Sequence, residues 1–172
     1  MVDLPLGSTI LVDIVAWAVI GVSVGYAMHR VPLHRLDHDT WLTRPRRFER
    51  TGRRYERIGI RRWKDRTPEL GGLFAGGVSK RSSGGRTRLQ RYAAETRRAE
   101  YTHWVVMAAG PFFALWNPWY LTVAMVTYAV VANLPCLLIQ RYNRARITRI
   151  AVRVTARRAR PEPGDGRAPT GT

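Results

Sequence analysis

The densest cluster of groups able to do chemistry runs Glu95-Thr96-Arg97-Arg98-Ala99-Glu100-Tyr101-Thr102-His103-Trp104. On a helix, Glu95 and Arg98 are i,i+3 neighbours, and so are Glu100 and His103. A carboxylate beside an imidazole fixes the ring's tautomer and raises its basicity, which suits proton abstraction from a hydroxyl near neutral pH. The same residues suit a His-Trp anchor above surface ion pairs, and spacing alone favours that plainer account. A second cluster comprises Asn133 and Pro135, then Gln140-Arg141-Tyr142-Asn143-Arg144-Ala145-Arg146. Asn133, Gln140 and Arg144 fall at i, i+7 and i+11, on one helix face. Planar arginine forks bind phosphate or carboxylate. A basic juxtamembrane patch on anionic lipid is the alternative, and charge alone favours it.

Other groupings are weaker. His34 and Asp39 have a His-x4-Asp spacing in a polar loop, which is read as coincidence. His34, His38 and Asp39 are a thin donor set for a metal, and Cys136 is the sole cysteine, so neither a metal site nor an intramolecular disulfide is expected. The sequence contains no nucleophile elbow, P-loop, Rossmann fingerprint or zincin motif.

The elements that position these clusters follow from where charge is missing. The 172 residues carry 29 Lys+Arg against 12 Asp+Glu, a net charge of +17. Such a balance suits a nucleic-acid binder, but its distribution points to a membrane. Between Leu11 and Met28 only Asp13 and Tyr26 are ionisable, and Trp104 to Ile139 has no Asp, Glu, Lys, Arg or His. Ile10 to Met28, at about 1.5 Å per residue, spans roughly 29 Å, close to a bilayer core. Ser8 or Thr9 is expected to cap that helix, with Asp13 shallow enough to reach headgroups or water. Without Lys or Arg before it, the segment is expected to be an uncleaved anchor rather than a signal peptide.

Trp104 to Ile139 is too long for one span. Trp116-Asn117-Pro118-Trp119 marks a turn near its middle, with tryptophans suited to an interface. The expectation is a helical hairpin, Tyr101–Leu115 going out and Trp119–Gln140 returning. Its first arm is short and contains Gly110-Pro111, so it needs a kink, a tilt or support from its neighbours, and a re-entrant hairpin is the alternative. Residues 29–100 hold 20 of the Lys/Arg and 141–172 hold the other 9. The positive-inside rule then places the N-terminus and the turn outside, and the basic segments in the cytoplasm.

The expected protein is all-α and integral to the cell membrane, multi-pass, with about three transmembrane helices. Its parts are an N-terminal transmembrane helix (1–28), a basic cytosolic or interfacial segment (29–100) and a transmembrane helical hairpin (101–140). A basic juxtamembrane helix (141–160) and a disordered tail (161–172) follow. Within 29–100, residues 46–62 carry Phe48, Thr51, Tyr55 and Ile58 at helical spacing, as in an amphipathic helix lying on lipid. Gly-rich 71–85 reads as a loop. From Arg88 a helix is expected to run straight into the second span.

Ordered blocks along the chain resemble the glycosyl-4,4'-diaponeurosporenoate acyltransferase family of bacterial carotenoid pathways. They are Arg30-Val31-Pro32, Tyr55-Glu56 with Trp63-Lys64, Glu95-Thr96-x-Arg98-Ala99-Glu100-x-x-His103-Trp104, and Ala132-Asn133-x-Pro135 leading to Gln140-Arg141-Tyr142-Asn143-Arg144-x-Arg146. The resemblance covers roughly residues 15–150. It implies transfer of a fatty acyl group to a sugar hydroxyl of a glycosylated carotenoid acid or related glycolipid, and it shifts both clusters from anchors to an active site. His103 would be the base, Glu100 its orienting partner, and Glu95 a further candidate catalytic residue. Arg98, Asn133, Gln140, Arg141, Tyr142, Asn143, Arg144, Trp63 and Lys64 would bind substrate. No bound cofactor is implied. An acyl donor (acyl-CoA, acyl carrier protein or a lipid) is the co-substrate. The expected partners are membrane lipids, the glycosylated acceptor and other membrane enzymes of the pathway, with no nucleic acid. The alternative is a non-catalytic lipid-binding or assembly protein of the membrane.

Overall fold

A computed structural model describes residues 5–49, 52–64 and 86–158, all of them helix, turn or irregular chain. Helix α1 is Leu6–Arg30. Two short helices, α2 (Arg53–Arg57) and α3 (Ile60–Trp63), precede the long α4 (Arg86–Ala108) and α5 (Trp119–Arg158). Single 3₁₀ helices occupy Leu33–Leu36 and Gly110–Leu115. The Gly-rich 71–85 segment and the 161–172 tail lie outside the described residues.

α1 starts earlier than the sequence suggests. Pro5 precedes its first turn, and Thr9 Oγ1 donates back to the Pro5 carbonyl instead of capping the helix. Proline tolerates this position because its missing N–H would have no helical partner there. α1 and the Trp119–Ala156 part of α5 are the two described helices long and apolar enough to cross a membrane. Only 6% of the apolar window of α1 and 17% of that of α5 are buried within the chain. The core helix of a soluble protein would be mostly buried, so this exposure favours membrane association.

The 101–115 arm is the last two turns of α4 followed by the 3₁₀ helix. Pro111 supplies no N–H to an α-helical ladder, and the chain tightens after Ala109. Close approach explains Gly110: a Cβ there would lie 3.3 Å from the Val126 backbone and 3.4 Å from Ala129 Cβ. The second 3₁₀ helix and α5 thus meet almost backbone to backbone near the turn. Trp17 of α1 stacks on Phe113 (ring centroids 4.6 Å apart), tilts against Tyr128 and points its indole N–H at Met125.

Polar contacts tie α1 into the hairpin at both ends. Near its start, buried Asp13 accepts from Trp116 Nε1 (2.8 Å) and Asn117 Nδ2 (2.9 Å) in the turn. Asp13 is therefore held by the protein rather than by headgroups or water. Just past its other end, the Val31 carbonyl accepts from Arg98 Nη2 at 2.8 Å. Asp13 and Val31 are separated by about 27 Å of helix, close to the thickness of a bilayer's hydrocarbon core. The start of α1 and the hairpin turn lie at one end of the molecule, and the arginine-rich layer lies at the other.

The expected continuous amphipathic helix over 46–62 is replaced by a turn at 47–49 and the short helices α2 and α3. Gly52 and Gly59 adopt φ of +63° and +70°, left-handed values that break a helix and that glycine adopts without Cβ strain. The segment lies on protein as well. Tyr55 and Ile60 are buried against Ile139 and Tyr142 of α5, with Trp63 and Leu138 beside them.

Candidate functional site

Where α4 and α5 leave the apolar zone, a buried ionic network joins them to the irregular chain that follows the first 3₁₀ helix. Glu100 is fully buried, with one oxygen for each of two arginines. Arg141 Nε donates to Oε1 at 2.8 Å, and Arg144 Nη1 donates to Oε2 at 2.6 Å. Arg141 then spreads its fork. Nη1 reaches both oxygens of Glu49 (2.9 and 3.1 Å), and Nη2 reaches the Leu42 carbonyl at 2.7 Å. Arg144 Nη2 donates to the Thr43 carbonyl, and its Nε lies 3.9 Å from Asp39. Arg97 reaches Asp39 Oδ1 (2.7 Å) and the Leu36 carbonyl (3.1 Å). The planar, five-donor guanidinium is suited to such bridging, since each arginine bonds groups distant in sequence at fixed angles. The network straps residues 36–49 across the helix pair.

One turn toward the apolar zone, His103 Nδ1 lies 2.8 Å from Asn133 Oδ1. Asn133 Nδ2 donates to the Ala129 carbonyl at 2.8 Å, which fixes which way the amide points. A flipped amide would set Oδ1 against that carbonyl oxygen. Asn133 Oδ1 must therefore accept, so Nδ1 carries the hydrogen and Nε2 keeps the lone pair. The imidazole is held in the tautomer of a base at Nε2, and an amide holds it instead of a carboxylate.

This arrangement redistributes the residues singled out from sequence. Glu100 and His103 do not pair: the carboxylate is committed to Arg141 and Arg144, and the ring to Asn133. Glu95 pairs with Arg98 as the i,i+3 spacing suggests, at 3.1 Å. Tyr142 is buried, accepts from Arg61 Nε at 3.3 Å and lies 3.4 Å from Glu56. Asn143 is buried and Gln140 half-buried. Trp63 packs beside the Tyr55–Tyr142 cluster, and Lys64 lines a groove further along α5. His34 is exposed while Asp39 serves Arg97, so the His-x4-Asp pair is not assembled. Among the described residues, no group of His, Cys, Asp and Glu could hold a metal ion. Sequence reasoning missed Glu49 and the Leu42 and Thr43 carbonyls, and gave Arg97 no role of its own. No local spacing joins them to residues some fifty to a hundred positions away.

Burial pushes the Glu49 carboxyl upward, but donation from Tyr55, the Arg46 N–H and Arg141 outweighs it and holds the group below the usual glutamate range. Conversely, burial and then the Glu49 bond push the Tyr55 hydroxyl far up, so it stays a donor. A carboxylate with a depressed folded-state pKa contributes stability above its unfolded value of about 4.3, and that contribution is lost as pH falls through the folded value. Detergent-solubilised protein should therefore lose thermal stability more steeply below about pH 4.3 than a Glu49→Gln variant does. Parallel pH dependences in the two proteins would show that Glu49 contributes no such term.

An all-helical chain suited to a membrane, with a buried arginine–carboxylate layer beneath a histidine–asparagine pair, is the class that fold and site define. Residues 38–153 match the model of the glycosyl-4,4'-diaponeurosporenoate acyltransferase family, and the chain belongs to that family. Among curated relatives, the glycosyl-4,4'-diaponeurosporenoate acyltransferase of Staphylococcus aureus strain USA300 is 34% identical over 70 residues, 41% of either chain. The protein of that name from strain Newman is 34% identical over 62 residues, 36% of this chain and 37% of the relative. The match thus spans about two fifths of the relatives' length. No solved structure matches.

Proposed function

We propose that this protein is a membrane acyltransferase that moves a fatty acyl group onto a sugar hydroxyl of a glycosylated carotenoid acid or related glycolipid. The observation that carries this is the tautomer lock on His103, in a chain whose family is named for such a transfer. His103 Nε2 takes the proton of the sugar hydroxyl as its oxygen attacks the donor's thioester or ester carbonyl. The tetrahedral intermediate collapses to the new ester, and the imidazolium returns the proton to the departing thiolate or alkoxide. Asn133 positions the base. Half-buried Gln140, two turns along α5 from Asn133, is the group proposed to meet the donor. Arg141, Arg144 and Glu100 hold the scaffold. The test is acyl transfer from labelled donors to glycosylated acceptors in membranes carrying the protein. Failure with acyl-CoA, acyl carrier protein and phospholipid donors alike would sink the proposal and favour the non-catalytic lipid-binding alternative, which the internal pairing of these arginines also suits.

The reaction is placed at the cytoplasmic face of a three-span protein. Eight residues of α4 and six of the 3₁₀ helix give the outgoing arm roughly 24 Å, because a 3₁₀ turn rises further per residue. Asp13 shares its end of the molecule with the turn, which supports an outside N-terminus under the positive-inside rule. Trp119 is exposed at the turn. In a Cys136→Ala background, Trp119→Cys should label with an impermeant thiol reagent from outside intact cells. Labelling only after lysis would reverse the topology.

A further inference from the structure

Beyond the buried network, α5 continues for four turns as a basic helix, and with the α2–α3 segment it encloses a groove of about 690 Å³. Among the described residues, Arg61, Lys64, Arg146, Arg149 and Arg153 line it together with Tyr142, with no Asp or Glu. Arg61 is balanced by Glu56 at 2.8 Å. Among the described residues, Arg146, Arg149 and Arg153 have no carboxylate partner, in contrast to Arg97, Arg141 and Arg144. Arg149 Nε is buried and without a hydrogen-bond partner. The backbone makes room for this side chain: a Cβ on Gly52 would lie 2.9 Å from Arg149 Nη2, at a left-handed φ that already favours glycine. Like charges gathered around one concavity repel each other, and a bound anion removes that cost. Guanidinium forks on two sides match the oxygens of adjacent phosphates.

We infer that this groove is a binding site for a phosphate-bearing ligand, separate from His103. Tyr142 and Arg153 lie about 14 and 30 Å along the helix axis beyond Asn133. A ligand anchored there by phosphate needs an extended arm to reach the imidazole. That geometry suits either a soluble phosphorylated acyl carrier or an anionic phospholipid whose chain turns back into the bilayer. The assignment to the acyl donor rests on the acyl-transfer proposal, whereas phosphate binding itself does not, and the test reads binding alone.

The full chain is reconstituted in nanodiscs as wild type, as Arg146→Gln/Arg153→Gln, and as Arg53→Gln/Arg57→Gln. All four positions are exposed, and the second pair lies outside the groove. Pyrophosphate is titrated calorimetrically into phosphatidylcholine discs. Enrichment of phosphatidylglycerol around the protein is measured in mixed discs. The groove variant should weaken pyrophosphate binding about tenfold or more, and the control pair less than about twofold. That result assigns the groove to a soluble phosphorylated ligand. Phosphatidylglycerol enrichment lost only in the groove variant, without pyrophosphate binding, assigns it to a lipid headgroup. If neither probe binds, or if both double variants lose binding equally, the groove is ordinary surface charge and the inference is wrong.

Discussion

His103→Gln should lower the initial rate of acyl transfer by about 10²–10⁴-fold at equal membrane abundance, the range typical of removing a general base. Glutamine can still donate to Asn133 Oδ1, so the contact between the arms survives while the Nε2 lone pair is lost. Asn133→Leu should cost less, because it leaves the base in place but frees the ring to change tautomer and rotate. The double variant His103→Gln/Asn133→Leu should be no slower than His103→Gln alone, since Asn133 acts only through the ring. Additive losses would give Asn133 a role of its own, such as a direct contact with substrate. A His103→Gln rate within a few-fold of wild type would move the base elsewhere, with Glu95 next in line. Glu95 faces the same polar layer about 12 Å further along α4.

Much of this architecture is legible from where charge is absent. The apolar runs gave α1 and the returning arm, and Asn117-Pro118 gave the turn, because these features depend on local composition. The pairing of His103 with Asn133 was within reach of the same logic. Both lie fifteen positions from Pro118 (118 − 103 and 133 − 118), so a hairpin folded at that proline sets them opposite each other. Helical spacing instead favoured Glu100 as the partner of His103. It ranks neighbours on one helix and does not register competition from arginines on the next. Glu100 is drawn to Arg141 and Arg144, two charges in the same buried layer, the second of which has no other carboxylate within hydrogen-bonding distance. The strap was not legible because three of its acceptors are the backbone carbonyls of Leu36, Leu42 and Thr43, which carry no residue signature. The break over 46–62 was only partly visible. Gly52 weakened the helix pattern, but no local signal tells that Tyr142 and Arg149 of α5 close in on it and leave no room for a Cβ.

The same competition changes what arginine variants mean. Arg141→Lys would lose function in any account, since one ammonium cannot reach Glu100, Glu49 and the Leu42 carbonyl together. Substrate binding at these arginines therefore cannot be inferred from a Lys variant.

Glu100→Gln separates the two roles available to the carboxylate. Removing one member of a buried ion pair costs about 3–5 kcal/mol, because the partner charge remains buried without compensation. Here one neutralisation strands Arg144 and takes from Arg141 one of its two carboxylate partners, and the glutamine NH₂ must face one of them, donor against donor. The expected result is a sharp fall in membrane abundance and in the thermal midpoint of solubilised protein. Acyl transfer per folded molecule should stay within a few-fold of wild type. Adding Arg144→Met should recover part of the abundance by removing one stranded cation and restoring apolar volume. Arg141 keeps Glu49 and the Leu42 carbonyl and can tolerate losing Glu100 more easily. If Glu100→Gln instead folds normally and loses turnover in step with His103→Gln, the carboxylate acts on the imidazole. The Asn133 pairing would then belong to a resting state rather than to the reacting one.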